Sequence, residues 1–442
     1  MTTTLTDMGW TGTSSGFWTD GSNKVTDKIG GIVVNKGTKA NTLSGKDSIT
    51  GAGGVDTSKA GLTAIAPLYF GIENFGELIM GDGTDSIIGT ATDDGDKLTS
   101  EFVYGIYNEQ GSSITMSGNK NSITGTATGD AIGLPVPFGI FGIYNRSGTI
   151  TMGDGNHNSI TGIGKATVAI PDPGNGDIGF LAGGIFNRQG GTIAVENGNN
   201  NSITGIGGYY NGIYNRGSIT IGNGNNNSIS GKGISDGAYG IYNQNFALLG
   251  APVSPASITI GDGNKNSITG TAEGIRSIGI FNESGCTITM GDGNKNSITG
   301  TAEGSGSIGI FNESGSTIAM GGGNDRLTGM GSIGIKNSGT IDMGSGNDEA
   351  IANGGFAGNG SVFLRAGNDY LKGFGSGNFD GGDGKDTLEL TSGSYTVGLS
   401  GTTVTFTDSS NIIMTTSGFE KLIAGCTTYN FTSLSSGQTI VV

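Results

Sequence analysis

Apolar and polar residues alternate along this chain in short stretches that recur many times. The stretch T-I-T-M at Thr287–Met290 places Ile288 and Met290 on one face of a strand and two threonines on the other. A turn of the form G-D-G-N-x-N follows, and then N-S-I-T-G at Asn296–Gly300, again with one inward isoleucine. A third stretch, G-I-x-N, comes after a loop of variable length. The pattern predicts three strands per repeat, and a glycine every four to six residues predicts that these strands are short.

The repeat is copied in tandem. Residues 261–290 and 291–320 differ at only four positions. Tandem copies of one supersecondary unit bury their cores against their neighbours. We therefore predict an all-β fold, a parallel β-helix (β-solenoid) of roughly ten coils, about 50 Å long, with N- and C-terminal caps. The G-I-x-N element ends at Asn74, Asn108, Asn145, Asn187, Asn215, Asn243, Asn282, Asn312 and Asn337.

Successive residues of G-I-x-N point to opposite faces of the strand. Isoleucine and asparagine share the inward face, where the asparagines either stack as amides or serve only as turn formers. Position x also accepts Glu73 and Lys336, which predicts that it points outward. Its aromatic residues then form an exposed stripe suited to contact a glycan or a second molecule. These residues are Tyr107, Tyr144, Phe186, Tyr214, Tyr242, Phe281 and Phe311.

Two versions of the turn before N-S-I-T-G occur. One, x-G-x-G-[NTK]-D-x-[IL], carries Asp85, Asp325 or Asp386, and close variants carry Asp47, Asp348 and Asp369. The other inserts a residue and ends in asparagine, at Asn121 (a shortened form), Asn158, Asn201, Asn227, Asn266 and Asn296. The only histidine, His157, occupies the inserted position, so we expect it to be an exposed turn residue.

The aspartate turns resemble the nonapeptide G-G-x-G-x-D-x-U-x of the RTX (repeats-in-toxin) family. The resemblance is best over Gly321–Leu388. It implies that glycine carbonyls and aspartate carboxylates hold calcium ions between the turns of successive coils. We expect calcium at Asp85, Asp325, Asp348, Asp369, Asp383 and Asp386. Because a neutral amide supplies no charge, we expect the asparagine turns to be metal-free and held by hydrogen bonds.

The C-terminal residues also resemble this family. Residues 387–442 change to alternating strands and end in the apolar T-I-V-V, similar to the uncleaved signal of proteins secreted by type I transporters. The first residues, MTTTLTDMGWTG, have neither a basic region nor an apolar run, which predicts no Sec-type signal. We therefore expect a secreted protein, extracellular or on the cell surface.

The chain divides into an N-terminal cap or assembly segment (1–30), a solenoid with mainly asparagine turns (31–320), calcium-binding coils (321–386) and a C-terminal cap with the signal (387–442).

Composition limits the partners. The net charge of −15 disfavours nucleic acid and anionic membranes. The longest apolar stretch, around Leu134–Tyr144, is too short and too interrupted to insert into a membrane. Two cysteines, Cys286 and Cys426, make no disulfide framework.

Several functions are compatible with a secreted solenoid. An enzyme such as a β-helical polysaccharide lyase needs carboxylates and a base converging in a cleft, whereas here the acids lie in turns and the bases are scattered, so we predict no enzyme. We expect a structural subunit of a matrix, surface layer or filament. It would assemble head to tail through Trp10, Phe17 and Trp18, and laterally through the aromatic stripe. The alternative is an adhesin, or a glycan- or ice-binding protein, that uses the aromatic or threonine face.

Overall fold

The computed structural model describes residues 3–4, 16–17, 24–27, 32–37, 39–41, 44–53, 68–92, 102–129, 138–166, 180–245 and 255–442. Over these ranges the chain is all-β and forms long parallel sheets whose strands stack coil on coil. The predicted parallel β-solenoid is confirmed. The one helical element in this part of the chain is a 3-10 turn at Phe431–Ser433.

Sheet I has twelve strands and contains the G-I-x-N elements. Its strands are Thr3–Thr4, Ile32–Val34, Leu68–Asn74, Phe102–Asn108, Phe138–Asn145, Phe180–Asn187, Asn211–Asn215, Tyr239–Asn243, Ile278–Asn282, Ile308–Asn312, Ile333–Asn337 and Phe356–Ala357.

Sheet II contains the T-I-T-M stretches. Its parallel strands are Gly16–Phe17, Lys39–Asn41, Ser44–Gly45, Glu77–Gly83, Ser113–Gly118, Thr149–Met152, Thr192–Val195, Ser218–Ile221, Ser257–Ile260, Thr287–Met290, Thr317–Ala319, Thr340–Asp342, Ser361–Phe363 and Gly377–Asp380. Four C-terminal strands continue it: Ile413–Ser417, Thr403–Thr407, Ser394–Ser400 and Thr439–Val441.

Sheet III has fifteen strands and contains the S-I-T-G stretches. Its strands are Lys24–Asp27, Ser48–Ala52, Ser86–Thr92, Ser122–Gly129, Ser159–Ala166, Ser202–Gly207, Ser228–Ile234, Ser267–Glu273, Ser297–Ala302, Arg326–Met330, Glu349–Asn353, Tyr370–Lys372, Thr387–Leu390, Lys421–Ala424 and Thr427–Asn430. A small fourth sheet pairs Ala366–Gly367 with Asp383–Gly384. Sheet III extends beyond the nine coils marked by G-I-x-N, because the coils near both ends lack that element.

Each coil buries one isoleucine-rich face from every sheet. Ile106, Ile114 and Ile123, one from each sheet of the same coil, are fully buried in a single core that runs the length of the stack. Neighbouring coils pair in register, so Ile114 lies beside Ile150 and Ile123 beside Ile160. Burying each isoleucine contributes about 1.5–3 kcal/mol relative to leaving it exposed. The core therefore grows by a fixed amount with each coil.

Sheets I and III touch through their glycines. A Cβ atom on Gly125, in the middle of strand Ser122–Gly129, would lie only 2.1 Å from the carbonyl oxygen of Gly142 in G-I-x-N. The same contact recurs one coil at a time, for example between Gly205 and Gly212. The strands are short, as predicted, at two to eight residues each. Glycine does not end them, however, because strands Ser122–Gly129 and Phe138–Asn145 pass through these positions. The glycine is needed because two backbones meet there.

The C-terminal residues cover the last coil. Strand Ile413–Ser417 pairs in parallel with Gly377–Asp380 of the stack, and it then pairs antiparallel with Thr403–Thr407. Tyr395 and Phe406 are buried in the same core as the isoleucines. This antiparallel segment closes sheet II, where another coil would otherwise continue it.

Candidate functional site

The asparagines of G-I-x-N form an amide ladder inside the coils. The Nδ2 of each one donates to the Oδ1 of the next, at 2.8–2.9 Å, from Asn74 through to Asn337. Each Nδ2 also donates to backbone carbonyls at the corner between sheets I and II, as Asn187 does to Gly191 and Ser218. Of the two alternatives left open by the sequence, stacked amides are confirmed. The ladder satisfies backbone groups that a buried corner would otherwise leave unpaired.

A second ladder runs along the turns between sheets II and III. In this turn ladder, the backbone N–H of one residue donates to the side-chain Oδ1 of its counterpart in the next coil, at 2.7–2.9 Å. Asparagine and aspartate play this part equally well, since both carry an Oδ1 acceptor. Its members are Asp47, Asp85, Asn121, Asn158, Asn201, Asn227, Asn266, Asn296, Asp325, Asp348, Asp369 and Asp386.

The second side-chain atom separates the two kinds of turn. In the asparagine turns, Nδ2 donates to backbone carbonyls of the turns: Asn201 to Gly155 at 2.9 Å, Asn296 to Gly293 at 3.1 Å, and Asn121 to Ser117 at 2.8 Å. In the aspartate turns an acceptor, Oδ2, takes the place of that donor. This oxygen is buried without a hydrogen-bond partner in Asp85, Asp325, Asp348, Asp369 and Asp386. A buried polar atom without a partner costs about 1–3 kcal/mol.

These carboxyl groups are poorly solvated, which shifts their pKa values. The pKa of Asp348 is raised to about 7, mainly by burial; the backbone N–H of Asp325 lowers it, and the neighbouring carboxylates of Asp369 and Asp325 contribute to the increase. Burial also raises the pKa of Asp85, Asp325 and Asp369 to about 6 each. A site of this kind favours either a proton on the carboxyl group or a cation beside it.

The turns fit a hard cation that takes oxygen ligands. Calcium prefers about six to eight oxygens, and it accepts backbone carbonyls together with carboxylates. Among the described residues, no three side chains of His, Cys, Asp or Glu come together in a way that would hold a metal. A bound calcium would therefore depend on the glycine carbonyls of the turns as well as on Oδ2, which is the arrangement that the RTX resemblance implies.

Four aspartates follow one another in the turn ladder at its C-terminal end. Asp325 donates to Asp348, Asp348 to Asp369, and Asp369 to Asp386, each through a backbone N–H. The predicted ligand Asp383 lies outside the ladder, in the exposed strand Asp383–Gly384. Its charge is nevertheless close enough to contribute to the raised pKa of Asp386, of which burial is the main cause.

One residue of this site was not predicted from the sequence. The Oε2 of Glu420 accepts the backbone N–H of Asp386 at 2.7 Å and so takes the place of the next aspartate in the turn ladder. Glu420 belongs to the C-terminal cap and is not part of a glycine-rich turn, so the repeat pattern contains no signal for it.

His157 is exposed and in the left-handed conformation (φ 60°), and the prediction of a turn residue is confirmed.

The aromatic residues of G-I-x-N are stacked rather than exposed. Tyr107, Phe186, Tyr214 and Phe281 are only 2–8% exposed, and Tyr144, Tyr242 and Phe311 are half-buried. Successive ring centroids lie 4.6–5.4 Å apart, and we call this row the aromatic ladder. The rings of its first part pack in a cluster separate from the isoleucine core. The prediction of an exposed stripe is therefore wrong, because each ring packs against its neighbours, edge to face between Tyr144 and Phe186 and face to face at the other steps.

A lysine lies against the C-terminal end of the aromatic ladder. The Nζ of Lys336 lies 4.3 Å from the ring centroid of Phe311, a cation–π contact that covers the last ring.

Of the residues predicted to mediate head-to-tail assembly, Trp10 and Trp18 lie outside the described residues. Phe17 belongs to the short strand Gly16–Phe17, whose side chains are not described.

No helix in the described part of the chain has the length and apolarity needed to cross a membrane. A scan against protein-family models, a search of curated proteins and a search of solved structures each find no match to this chain.

Proposed function

We propose that the chain is a secreted, calcium-binding β-solenoid that serves as a structural subunit of an extracellular matrix, surface layer or filament. The observation that carries the proposal is the series of buried, unpartnered Oδ2 atoms in consecutive turns of Asp325, Asp348, Asp369 and Asp386. At neutral pH these turns need a cation, whereas the asparagine turns of the same ladder do not.

The calcium part is tested by hydrogen exchange on the whole chain, in calcium and in EGTA. We expect EGTA to speed exchange from about Gly321 to the C-terminus, and to leave Gly139–Met320 protected, because its turns are closed by asparagine amides. The asparagine coils are thus an internal control. Equal changes along the whole solenoid, or none anywhere, would contradict the proposal.

The secretion part rests on the resemblance of residues 387–442 to a type I signal. Deleting these residues would also remove Tyr395 and Phe406, which are buried in the core, and would uncover the last coil, so a deletion confuses export with unfolding. A better test fuses residues 387–442 to a reporter enzyme in cells that have a type I transporter. We expect export of this fusion but not of a matched fusion to residues 261–320. A reporter that stays inside while the full chain is exported would exclude this signal.

The assembly part rests on the rod shape and on its ends. Sheet III ends at the exposed strand Thr427–Asn430, and the last strand of a sheet presents backbone groups to which another chain can pair. Electron microscopy of the purified protein should show filaments or sheets in calcium, and Trp10→Ala with Trp18→Ala should abolish them while the β-rich circular dichroism remains. A wild type that stays monomeric in saturating calcium would favour the adhesin alternative.

One observation favours a second candidate, binding to ice or another ordered hydroxylated surface. The outward S-x-T positions of sheet III stack in register over six coils, from Ser122 and Thr124 to Ser297 and Thr299, with a serine replacing threonine only at Ser230. Such an array repeats every 4.7–4.9 Å or so along the rod. Thermal hysteresis that Thr204→Tyr abolishes, but Thr220→Tyr on sheet II does not, would support this candidate. No hysteresis in the wild type would exclude it.

A further inference from the structure

A cleft lies where sheet I ends against the C-terminal cap. The last strand of sheet I, Phe356–Ala357, is followed by Phe374 and Gly375 of the next coil, through the bond from Phe356 N–H to the Phe374 carbonyl and the bridge to Gly375. Beyond this point the cap segments around Thr391–Tyr395 and Asp408–Ser409 cross the end of the sheet. They leave a cleft of about 450 Å³. This volume is within the range of small-molecule sites.

The floor of the cleft is aromatic and fixed in place. Phe374 and Tyr395 pack with ring centroids 4.4 Å apart. The hydroxyl of Tyr395 donates to the carbonyl of Thr391 at 2.8 Å, which holds its ring, and only 2% of Tyr395 is exposed. Phe374 is half-buried, with part of its surface packed against the core and part lining the cleft. The cleft thus offers an apolar surface that does not need to move when a ligand binds.

The rim is polar. Thr391, Ser394 and Ser409, which carry hydroxyl groups, line it together with Asp408. The Oδ1 of Asp408 accepts the backbone N–H groups of Ser410 at 2.9 Å and Ile412 at 2.8 Å, so the carboxylate has a fixed orientation. Among the described residues that line the cleft, none is a lysine, arginine or histidine.

We propose that this cleft binds an uncharged sugar of a glycan. A sugar ring has an apolar C–H face and an edge of hydroxyl groups, which matches an aromatic floor surrounded by hydroxyls and one carboxylate. The carboxylate accepts hydroxyl donors and repels acidic sugars, and the net charge of −15 acts in the same direction. The site differs from the aromatic ladder, whose ring faces are covered by neighbouring rings. It does not depend on the calcium proposal.

The test is a titration of the full-length protein in calcium with cellotriose, maltotriose, mannotriose and chitotriose, observed by saturation-transfer NMR and calorimetry. Trigalacturonate is the charged comparison. We expect at least one neutral trisaccharide to bind and trigalacturonate not to bind. Phe374→Leu, which keeps an apolar side chain but removes the ring, should weaken binding about fivefold or more. Asp408→Asn, which keeps an Oδ1 acceptor for the turn, should weaken it about tenfold or more.

Two controls separate binding from folding. Ser410→Ala changes a neighbouring residue that does not line the cleft, and it should leave the affinity unchanged. Calcium binding by Phe374→Leu and Asp408→Asn should equal that of the wild type, because neither residue lies in the aspartate turns, so failure of one proposal is distinguishable from failure of the other. Circular dichroism and exchange protection of residues 394–441 verify that each variant is folded. The inference is overturned if no neutral trisaccharide binds, if trigalacturonate binds equally well, or if folded Phe374→Leu and Asp408→Asn bind like the wild type.

Discussion

Replacing Asp348 by asparagine changes one buried oxygen into a hydrogen-bond donor and leaves the rest of the turn ladder intact. The Oδ1 of either residue accepts the backbone N–H of Asp325, which donates to Asp348 at 2.8 Å. The Oδ2 of Asp348 has no partner, whereas the corresponding Nδ2 of Asn296 donates to the carbonyl of Gly293. We therefore expect Asp348→Asn to pair this position with a turn carbonyl.

The effect should change sign with calcium. In EGTA at pH 7.5 the variant should be more stable than the wild type by about 1–3 kcal/mol, the usual cost of a buried polar group without a partner. In calcium the wild type is stabilised by calcium binding to its turns. One site contributes about 2.7 kcal/mol when the free calcium concentration is a hundred times the dissociation constant of that site. The variant loses the part of this free energy that depends on Asp348. The variant should then be no more stable than the wild type, and less stable where the site is well saturated.

The assay is urea unfolding of both proteins with and without calcium, together with hydrogen exchange of the peptides around residue 348. The matched control is the reverse change, Asn296→Asp, which places an unpartnered oxygen near the carbonyl of Gly293. It should lower stability in EGTA by a similar amount. If Asp348→Asn is less stable than the wild type in EGTA, the unpartnered Oδ2 of Asp348 does not destabilise the folded state, and the prediction is wrong.

Three further predictions concern pH, glycine packing and the amide ladder. In EGTA the folded chain should become more stable as pH falls from about 7 towards 4. The pKa of Asp348 is raised from 3.8 to about 7, mainly by burial, so in this pH range the folded state binds more protons than the unfolded state. Urea midpoints that fall on acidification from about pH 7 to about pH 4 would contradict this prediction. Gly125→Ala should lower the free energy of unfolding by about 3 kcal/mol or more, because its Cβ would lie 2.1 Å from the Gly142 carbonyl oxygen. Gly111→Ala, with φ at +77° and nothing within 4 Å of the added Cβ, should lower it by only about 1 kcal/mol. Equal losses in thermal unfolding would show that the backbone moves to accommodate the Cβ of residue 125. Asn215→Ala should lower the free energy of unfolding by at least about 2 kcal/mol, because it leaves buried donors and acceptors in both neighbouring coils without partners. The number of bound calcium ions should not change, since Asn215 is not in an aspartate turn, and fewer calcium ions in a calorimetric titration would contradict this.

The repeat pattern predicted the solenoid because alternation and tandem copying are local properties. Ile288 and Met290 lie inward as their spacing indicates, and in-register pairing then follows from the identical repeats. The short strands were predicted correctly, but the need for glycine in the middle of a strand was not, because one chain segment contains no sign of a second backbone. Gly125 and Gly142 are far apart within the repeat, and only the folded coil brings their backbones together.

The aromatic ladder shows a second limit of reasoning from one strand. Alternation correctly placed Tyr214 on the face opposite the core, but exposure depends on what lies in the neighbouring coils. Rings at the same position of adjacent coils are 4.6 Å apart for Phe186 and Tyr214, and 5.0 Å apart for Tyr214 and Tyr242. Strands in a sheet are about 4.7–4.9 Å apart. A row of aromatic residues at this spacing therefore stacks, and the repeat itself contained that information.

Under the proposed function, the turn ladder divides the rod by its need for calcium. The central coils, through Asn296, close their turns with amide donors and are complete without a metal. The coils from Asp325 to Asp386 use the same backbone bond but leave Oδ2 unpartnered, and we propose that calcium stabilises them at neutral pH. Glu420 then joins the last of these turns to the C-terminal cap. Because each coil of a solenoid is stabilised mainly by its neighbours, loss of calcium should destabilise the cap together with these turns, while the amide-closed coils stay folded.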